Sequence, residues 1–220
     1  MKQILKKTAL RLLLLTILLT LCIPTAGCAG KAPSTEQIYD RVVELIEASY
    51  EVNTVFYGAG LPIYPTESKH AELLKLYYGF EYAGDYEMVT EYAKFLSEGE
   101  IRAAAERVYS KAYLEDVLYP AAFTGYAVNG ISGVQVASAR YLESGEWFYQ
   151  SVKEKALYDS GIIVYDYSTM RVTAPSNDEA CFVTLNAWME DTPENVHEVR
   201  IRLVKEEGQW YLDSFTGGVL

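Results

Sequence analysis

The chain has 220 residues, of which 50% are hydrophobic, and it carries 19 lysines and arginines against 30 aspartates and glutamates. This length is enough for one domain with a sizeable core. The excess of acidic residues disfavours nucleic acid as a partner, because a negative protein surface repels phosphate groups.

The first 27 residues have the pattern of an export signal. Basic residues at positions 2, 6, 7 and 11 precede an apolar run over 12–23, and small residues close the segment. The apolar run is shorter than the roughly 20 residues that a membrane-spanning helix needs. The sequence therefore predicts a signal peptide over 1–27 that is removed on export.

The signal ends in Thr25-Ala26-Gly27-Cys28, which resembles the lipobox of bacterial lipoproteins, although that family usually has leucine where Thr25 stands. In the family a signal peptidase cuts before the cysteine, which then carries the acyl chains, such as palmitate. The resemblance implies that Cys28 is the lipidated residue and that 28–33 form a tether. The expected location is the extracytoplasmic face of the cell membrane, with the lipid anchor as the only membrane contact. The alternative is an ordinary secretory signal followed by a chance cysteine.

Removal of the signal leaves a strongly acidic domain. Residues 28–220 hold 15 basic and 30 acidic residues, a formal net charge of −15. Such a charge favours a basic protein partner or serves solubility alone. Besides Cys28, this part of the chain has Cys181 as its other cysteine, so no intramolecular disulfide is predicted and burial of a core must stabilise the fold.

Helical periodicity begins at Ser34. Ser34 and Gln37 have the spacing of a capping box, and the residues that follow predict an amphipathic helix over 35–57. The positions predicted to form its buried stripe are Ile38, Val42, Leu45, Ile46, Ser49, Val52 and Phe56.

The next regular elements follow a segment, 61–85, whose structure the pattern does not predict. Alternation over 86–92 predicts a short strand. Ser97 and Glu100 repeat the capping-box spacing, and two helices that meet at an elbow are predicted over 98–119, with the next proline as their end.

A sheet is predicted in the second half of the domain, after a glycine-rich loop over 125–133. The apolar residues there alternate with a period of two, and the separators are short turns rich in glycine, proline, asparagine and aspartate. Short separators join antiparallel neighbours, because a parallel return needs a long crossover. The predicted strands are 139–143, 147–151, 168–174, 179–190, 196–205 and 209–215.

Alternation also divides the strands into two faces. The face expected to pack on the helices holds Cys181, Val183, Leu185, Ala187, Met189, Val199, Ile201 and Leu203. The opposite face, expected to meet solvent or a ligand, holds Thr184, Asn186, Trp188, Glu198, Arg200 and Arg202. The order of elements predicts a single α+β domain over 34–220, with N-terminal helices on one face of a C-terminal antiparallel β-meander.

Two resemblances accompany this order. "VRIRLVKEEGQWYLDSF", with its glycine turn and a tryptophan on the returning strand, is similar to the end of the nuclear-transport-factor-like cone folds, which are binding domains and occasional enzymes. "EIRAAAERVYSKAYLEDVLYP", "ARYLESGEWFYQS", "YDYSTMRVTAPSN" and "GQWYLDSFT" resemble exported bacterial proteins grouped with the inhibitor of cell-wall DL-endopeptidases. The second resemblance covers roughly residues 86–216. It rests on turns, caps and core aromatics rather than on catalytic motifs.

Residues able to carry chemistry do not form a recognisable motif. His70 and His197 lie in unlike contexts, without the spacing of a metal site, and no nucleotide-binding or nucleophile motif occurs. Cys181 lies on the predicted core face, where a cysteine is usually a small buried hydrophobe. No catalytic residue, metal or cofactor is therefore predicted.

Candidate binding residues come from the aromatic content and from the polar sheet face. The chain has 19 tyrosines, and tyrosine suits recognition surfaces, although most are expected to fill half-buried positions. The predicted binding residues are Tyr77, Tyr78, Tyr82 and Tyr86 in a glycine-punctuated stretch, and Trp188, Arg200 and Arg202 on the polar face.

Three hypotheses for function follow. The first is a non-catalytic membrane-anchored lipoprotein that binds and restrains a basic cell-wall hydrolase, in line with the export signal, the acidity and the endopeptidase-inhibitor resemblance. The second is a cone fold whose pocket binds a small ligand. The third is a cone-fold enzyme, which is disfavoured because no acid and base pair stands out in the sequence.

Overall fold

The computed structural model of the protein describes residues 30–65, 86–130, 133–137, 139–152 and 162–216. All of these residues except Gly30 belong to a unit that covers Lys31–Leu220. The predicted signal peptide, Cys28 and most of the segment 61–85 lie outside the described residues.

Helix α1, Thr35–Phe56, confirms the first predicted helix. Its start is capped by the Gln37 side chain, whose Oε1 accepts a hydrogen bond of 2.8 Å from the Ser34 backbone N–H. All seven positions of the predicted stripe are buried, and so are Asn53 and Val55. One face of α1 therefore forms part of the main hydrophobic core.

The end of α1 is held by side chains from the neighbouring sheet. The buried guanidinium of Arg140 donates to the carbonyl oxygens of Phe56, at 2.8 Å, and Gly58. A positive group suits this place, because the unpaired carbonyls of a helix end carry partial negative charge. Gly60 follows with φ +80°, and a Cβ there would lie 2.1 Å from Oε1 of Gln150, so this turn requires glycine.

Helix α2, Glu98–Ala105, begins where the second capping box predicts. The Ser97 hydroxyl accepts from the Glu100 N–H at 3.2 Å. The Glu100 carboxylate accepts from the N–H of Leu96, at 2.7 Å, rather than from that of Ser97. The Glu100 carboxylate thus bonds to the N–H one residue before the one that the predicted capping box requires.

Helix α3, Lys111–Tyr113, does not end before the proline as predicted. It continues as two π-helical segments, Leu114–Leu118 and Pro120–Thr124. In this wider turn the N–H of Tyr119 bonds to the carbonyl of Leu114, five residues back. The chain passes the proline because that residue begins a new segment, where its missing N–H is tolerated. Gly125, with φ +70°, follows the last turn.

The strands form three antiparallel sheets in the described residues. Their bounds are β1 Tyr86–Met88, β2 Tyr126–Gly130, β3 Gly133–Ala137, β4 Tyr141–Ser144, β5 Trp147–Ser151, β6 Ile163–Thr173, β7 Ala180–Met189, β8 Thr192–Glu206 and β9 Gln209–Leu212. The sheet orders are β1-β5-β4, β2-β3 and β6-β7-β8-β9. Helices thus precede an antiparallel C-terminal meander, which confirms the α+β fold class.

Several predicted strands and loops differ from the structure in their bounds, as three examples show. The predicted loop over 125–133 contains β2, which pairs with β3 so that Gly130 lies opposite Gly133. Because this hairpin contains several glycines, a loop was predicted where its short alternating strands lie. β6 begins at Ile163, before the predicted 168, because a bulge between Asp166 and Arg171 interrupts the alternation. The predicted strand over 86–92 ends at Met88, after which Val89 makes an isolated bridge to Ile63.

The four-stranded sheet uses its two faces as the alternation predicts. Cys181, Val183, Leu185 and Ala187 are fully buried, and Ile201 and Leu203 join them in the main core. Met189, at the end of β7, and Val199, in the middle of β8, are only half-buried. α1 contacts this sheet at both edges, since Thr35 Oγ1 accepts from the N–H of Val172 on β6, and Arg41 Nε donates to the carbonyl of Trp210 on β9.

Candidate binding groove

A polar network fills the space between α1, helix α2 with its C-terminal turn, and the core face of the four-stranded sheet. Its centre is Thr216, which is only 2% exposed. The Thr216 hydroxyl lies 2.6 Å from the Ser49 hydroxyl, and it accepts from Asn53 Nδ2 at 3.1 Å. The Thr216 carbonyl accepts from the Tyr165 hydroxyl. The segment after β9 therefore occupies the interior.

Tyrosine hydroxyls complete this network. The Tyr109 hydroxyl donates to Asn53 Oδ1 at 2.6 Å and lies 3.2 Å from the Thr216 hydroxyl. Burial raises the pKa of Tyr109 and of Tyr165 well above the ordinary 10.0, since the phenolate form would lose its hydration. These hydroxyls are bound to protein groups and are not presented to a ligand.

An open groove of about 500 Å³ lies between the region of α3 and the turn from β8 to β9, and it shares Tyr109 with the interior network. Aromatic rings and carboxylates make up most of its lining. The lining residues are Glu106, Tyr109, Lys111, Leu114, Glu115, Tyr119, Glu206, Glu207 and Tyr211. Four carboxylates and one ammonium give this acidic groove a formal charge of −3.

The floor and the rim of the acidic groove differ in burial. Tyr109, Leu114 and Tyr119 are at most 4% exposed, whereas Glu106 and Glu115 are exposed. The two glutamates belong to α2's C-terminal turn and to the first π-helical segment, whose wider turn also precedes Tyr119. The arrangement places buried side chains, two of them aromatic, below and negative charge around them.

Positive groups of the protein itself already contact residues that line the acidic groove. The guanidinium carbon of Arg102, which is not a lining residue, lies 3.8 Å from the centroid of the Tyr119 ring. Lys111 Nζ lies 3.2 Å from the Glu207 carboxylate, which raises the pKa of Lys111 through their hydrogen bond. Both members of this pair are largely exposed, so the pair is weak and exchanges readily with other partners. Aromatic faces and carboxylates together bind lysine and arginine side chains.

Most of the predicted binding residues do not lie in this groove. Tyr77, Tyr78 and Tyr82 fall outside the described residues. Tyr86 is buried and donates to the carbonyl of Ala139, so its hydroxyl is already bound to a protein group. It begins strand β1 rather than lying in a loop.

The other three predicted residues lie together on the outer face of the four-stranded sheet, which we define as the face turned away from α1. Trp188 is half-buried there, opposite Val164. Arg200 donates to the carbonyl of Ala174 at 3.1 Å, and Arg202 pairs with Asp213 at 2.5 Å. The structure thus brings the predicted arginines to one face, apart from the acidic groove.

The acidic groove itself was not predicted from the sequence. Its members come from segments about 100 residues apart, and each segment alone resembles a solvated helix or turn. The signal present in the sequence is the pair Glu206-Glu207 at the turn from β8 to β9, which by itself has the composition of an ordinary exposed turn.

Other chemistry remains sparse in the described part of the chain. Cys181 is fully buried, and burial raises the pKa of its thiol to about 11, which disfavours the reactive thiolate. Over those same residues, His, Cys, Asp and Glu form no group of three or more that could hold a metal ion. No helix in the described ranges is both long and apolar enough to cross a membrane.

Comparison with known proteins adds no family. No family model matches the chain, and no curated protein matches it at a significant level. The resemblance to the endopeptidase-inhibitor group and to the cone folds therefore stays a prediction.

Proposed function

We propose that this protein is an exported lipoprotein, anchored through Cys28, whose domain binds and restrains a basic cell-wall hydrolase without catalysing a reaction itself. The observation that carries this proposal is the acidic groove, with its tyrosine floor and glutamate rim. Lysine and arginine side chains of a partner fit such a surface, because they gain both charge pairing and contact with the ring faces.

The charge of the whole domain supports the same kind of partner. Residues 28–220 carry a formal −15, and such a field accelerates encounter with a basic protein more than it strengthens the final complex. The association rate is therefore expected to fall steeply with salt. A lipid anchor adds to this effect by confining the domain near other envelope proteins.

The filled interior weighs against a small-ligand function. In a cone fold that binds a small molecule, we expect the space between the helix and the concave sheet face to be open. Here Ser49, Asn53, Tyr109 and Thr216 bond to each other in that space. A ligand would have to displace the buried Thr216 before it could enter.

The test is recovery and inhibition of the partner. The chain 34–220 would be used to capture proteins from envelope extracts, and any cell-wall endopeptidase recovered would be assayed with increasing amounts of the domain. We expect inhibition at low ionic strength that weakens at high ionic strength. The matched variant Glu206→Gln with Glu207→Gln should inhibit less. Failure to inhibit any recovered hydrolase would contradict the proposal.

Anchoring is tested separately with Cys28→Ala. We expect the wild-type mature N-terminus to be acylated, as measured by mass spectrometry of the membrane fraction. The variant should be released from the membrane, because it lacks the residue that would carry the acyl chains. Unchanged membrane retention of the variant would contradict the lipid anchor while leaving the binding proposal intact.

A further inference from the structure

The outer face of the four-stranded sheet carries a row of side chains that the acidic groove does not use. Register pairs Arg171 of β6 with Thr184 of β7, and Thr184 with Arg200 of β8. Directly paired residues of an antiparallel sheet project to the same face, so the threonine lies between the two arginines.

Thr184 is unusual within this row. It is only 5% exposed, and its hydroxyl oxygen has no hydrogen-bond partner in the part of the chain that the structure describes. Buried hydroxyl groups in native proteins almost always have a partner, so an unsatisfied one requires an explanation. The neighbouring guanidinium groups are donors only, and a hydroxyl between them is well placed to donate to an anion that they also bind.

The arginines of this face differ in whether they already form an ion pair with a carboxylate. Arg171 pairs with Glu198, and Arg202 pairs with Asp213. Over the described residues, Arg200 has no carboxylate within the 4.0 Å of an ion pair, and its one hydrogen bond goes to the carbonyl of Ala174. A guanidinium has five N–H donors, so several remain for a ligand.

The Arg200 guanidinium is also held in a defined position. Its central carbon lies 3.8 Å from the centroid of the Phe182 ring, which stands two residues before Thr184 on β7. Stacking on this ring and the bond to Ala174 fix the plane of the fork before any ligand arrives. A fixed fork loses less conformational entropy on binding than a free side chain.

We propose that Arg200 and Thr184 form a binding site for a carboxylate group, with Arg171 at its edge. A planar carboxylate matches the guanidinium fork and accepts the additional hydroxyl donor. Its single charge is repelled less by the acidic domain than the higher charge of phosphate. This site lies apart from the acidic groove and takes the opposite charge, so the proposal is independent of the proposed function.

The direct test measures the NMR signal of the Arg200 side chain during a peptide titration. Full-length protein in detergent micelles, with ¹⁵N-labelled arginine, would be titrated with acetyl-tetra-alanine that bears a free C-terminal carboxylate. We expect the Arg200 Nε–H signal to shift and saturate with this peptide and not with its C-terminal amide. Inorganic phosphate, titrated separately, should shift it less. Absence of a saturable shift with the carboxylate peptide, or a stronger response to phosphate, would overturn the proposal.

Variants separate this binding from a structural role. Thr184→Val keeps the side-chain shape, so it should weaken peptide binding at least about tenfold while leaving the urea midpoint of the free protein equal or higher. Arg200→Gln should abolish the shift of the remaining peptide-sensitive signals. Lys205→Gln makes the same charge change on the opposite face of β8 and should bind like wild type. Wild-type affinity in Thr184→Val, or equal losses in the two charge variants, would refute the site.

Discussion

The interior network and the acidic groove use tyrosine in opposite ways. In the interior, the hydroxyls of Tyr109 and Tyr165 are bound to Asn53 and Thr216, and their rings are closed off from solvent. In the groove, the half-buried Tyr211 and exposed carboxylates line a space that is open to solvent. Tyrosine therefore fills the interior in one region and lines an open groove in the other. Of these two regions, the groove is the one that leaves charged side chains for a partner, which supports it as the proposed site of recognition.

The largest expected effect concerns how tightly the interior is filled. Leu185 is fully buried on the core face of β7, so Leu185→Ala should lower the free energy of unfolding by about 2–5 kcal/mol. Urea denaturation measures this change. Val196→Ala, at a position 51% exposed, serves as the control and should change the free energy by less than about 0.5 kcal/mol. Similar values for the two variants would mean that the interior is not packed as described.

The polar part of the interior is tested by Asn53→Leu. This change removes the acceptor of the Tyr109 hydroxyl and leaves a buried donor poorly satisfied, so we expect a loss of about 1–3 kcal/mol. A cycle with Tyr109→Phe, followed by urea denaturation, measures the coupling between the two residues. Because the two side chains bond directly, the double variant should lose less than the sum of the single losses. Strict additivity would show that the network carries no shared energy.

Alkaline pH tests the tyrosines that close the core. Burial raises the pKa of Tyr141 from 10.0 to about 12, so the folded protein holds this proton more tightly than the unfolded chain. Stability from this group is complete below pH 10 and is lost as pH rises from about 10 to about 12. At pH 11 the loss from a two-unit difference is about 1.4 kcal/mol.

The variant Tyr141→Phe isolates that contribution. It removes the bond from the hydroxyl to the Val55 carbonyl, so it is less stable at pH 8. Between pH 9 and pH 11 its free energy of unfolding should fall by about 1.4 kcal/mol less than that of wild type. Parallel pH curves for the two proteins would show that this hydroxyl is not held neutral by the fold.

The sequence predicted the parts of the fold that depend on local pattern. The stripe of α1 and the core positions of β7 follow from periodicity alone, and both are buried. The bulge in β6 and the helix past Pro120 were missed, because hydrogen bonding outside the usual spacing leaves no simple repeat. The acidic groove was missed for a different reason. Its lining residues, such as Glu106 and Glu207, lie in distant segments of the chain and come together only in the folded protein.

The groove is tested most directly as a recognition site by measuring how tightly a basic peptide binds to two variants that carry the same net charge. A fluorescein-labelled (Arg-Lys)₄ peptide would be titrated into wild type, into Glu206→Gln with Glu207→Gln, and into Glu190→Gln with Glu194→Gln. The second pair is the control, since these exposed residues lie near the turn between β7 and β8, outside the acidic groove.

Both double variants lose two negative charges, so they separate a specific groove from a diffuse field. We expect the groove variant to bind about tenfold more weakly, which corresponds to about 1.4 kcal/mol. The control variant should stay within about twofold of wild type, since distant exposed charges are largely screened by salt. Equal weakening in the two variants would contradict the groove as the site of recognition.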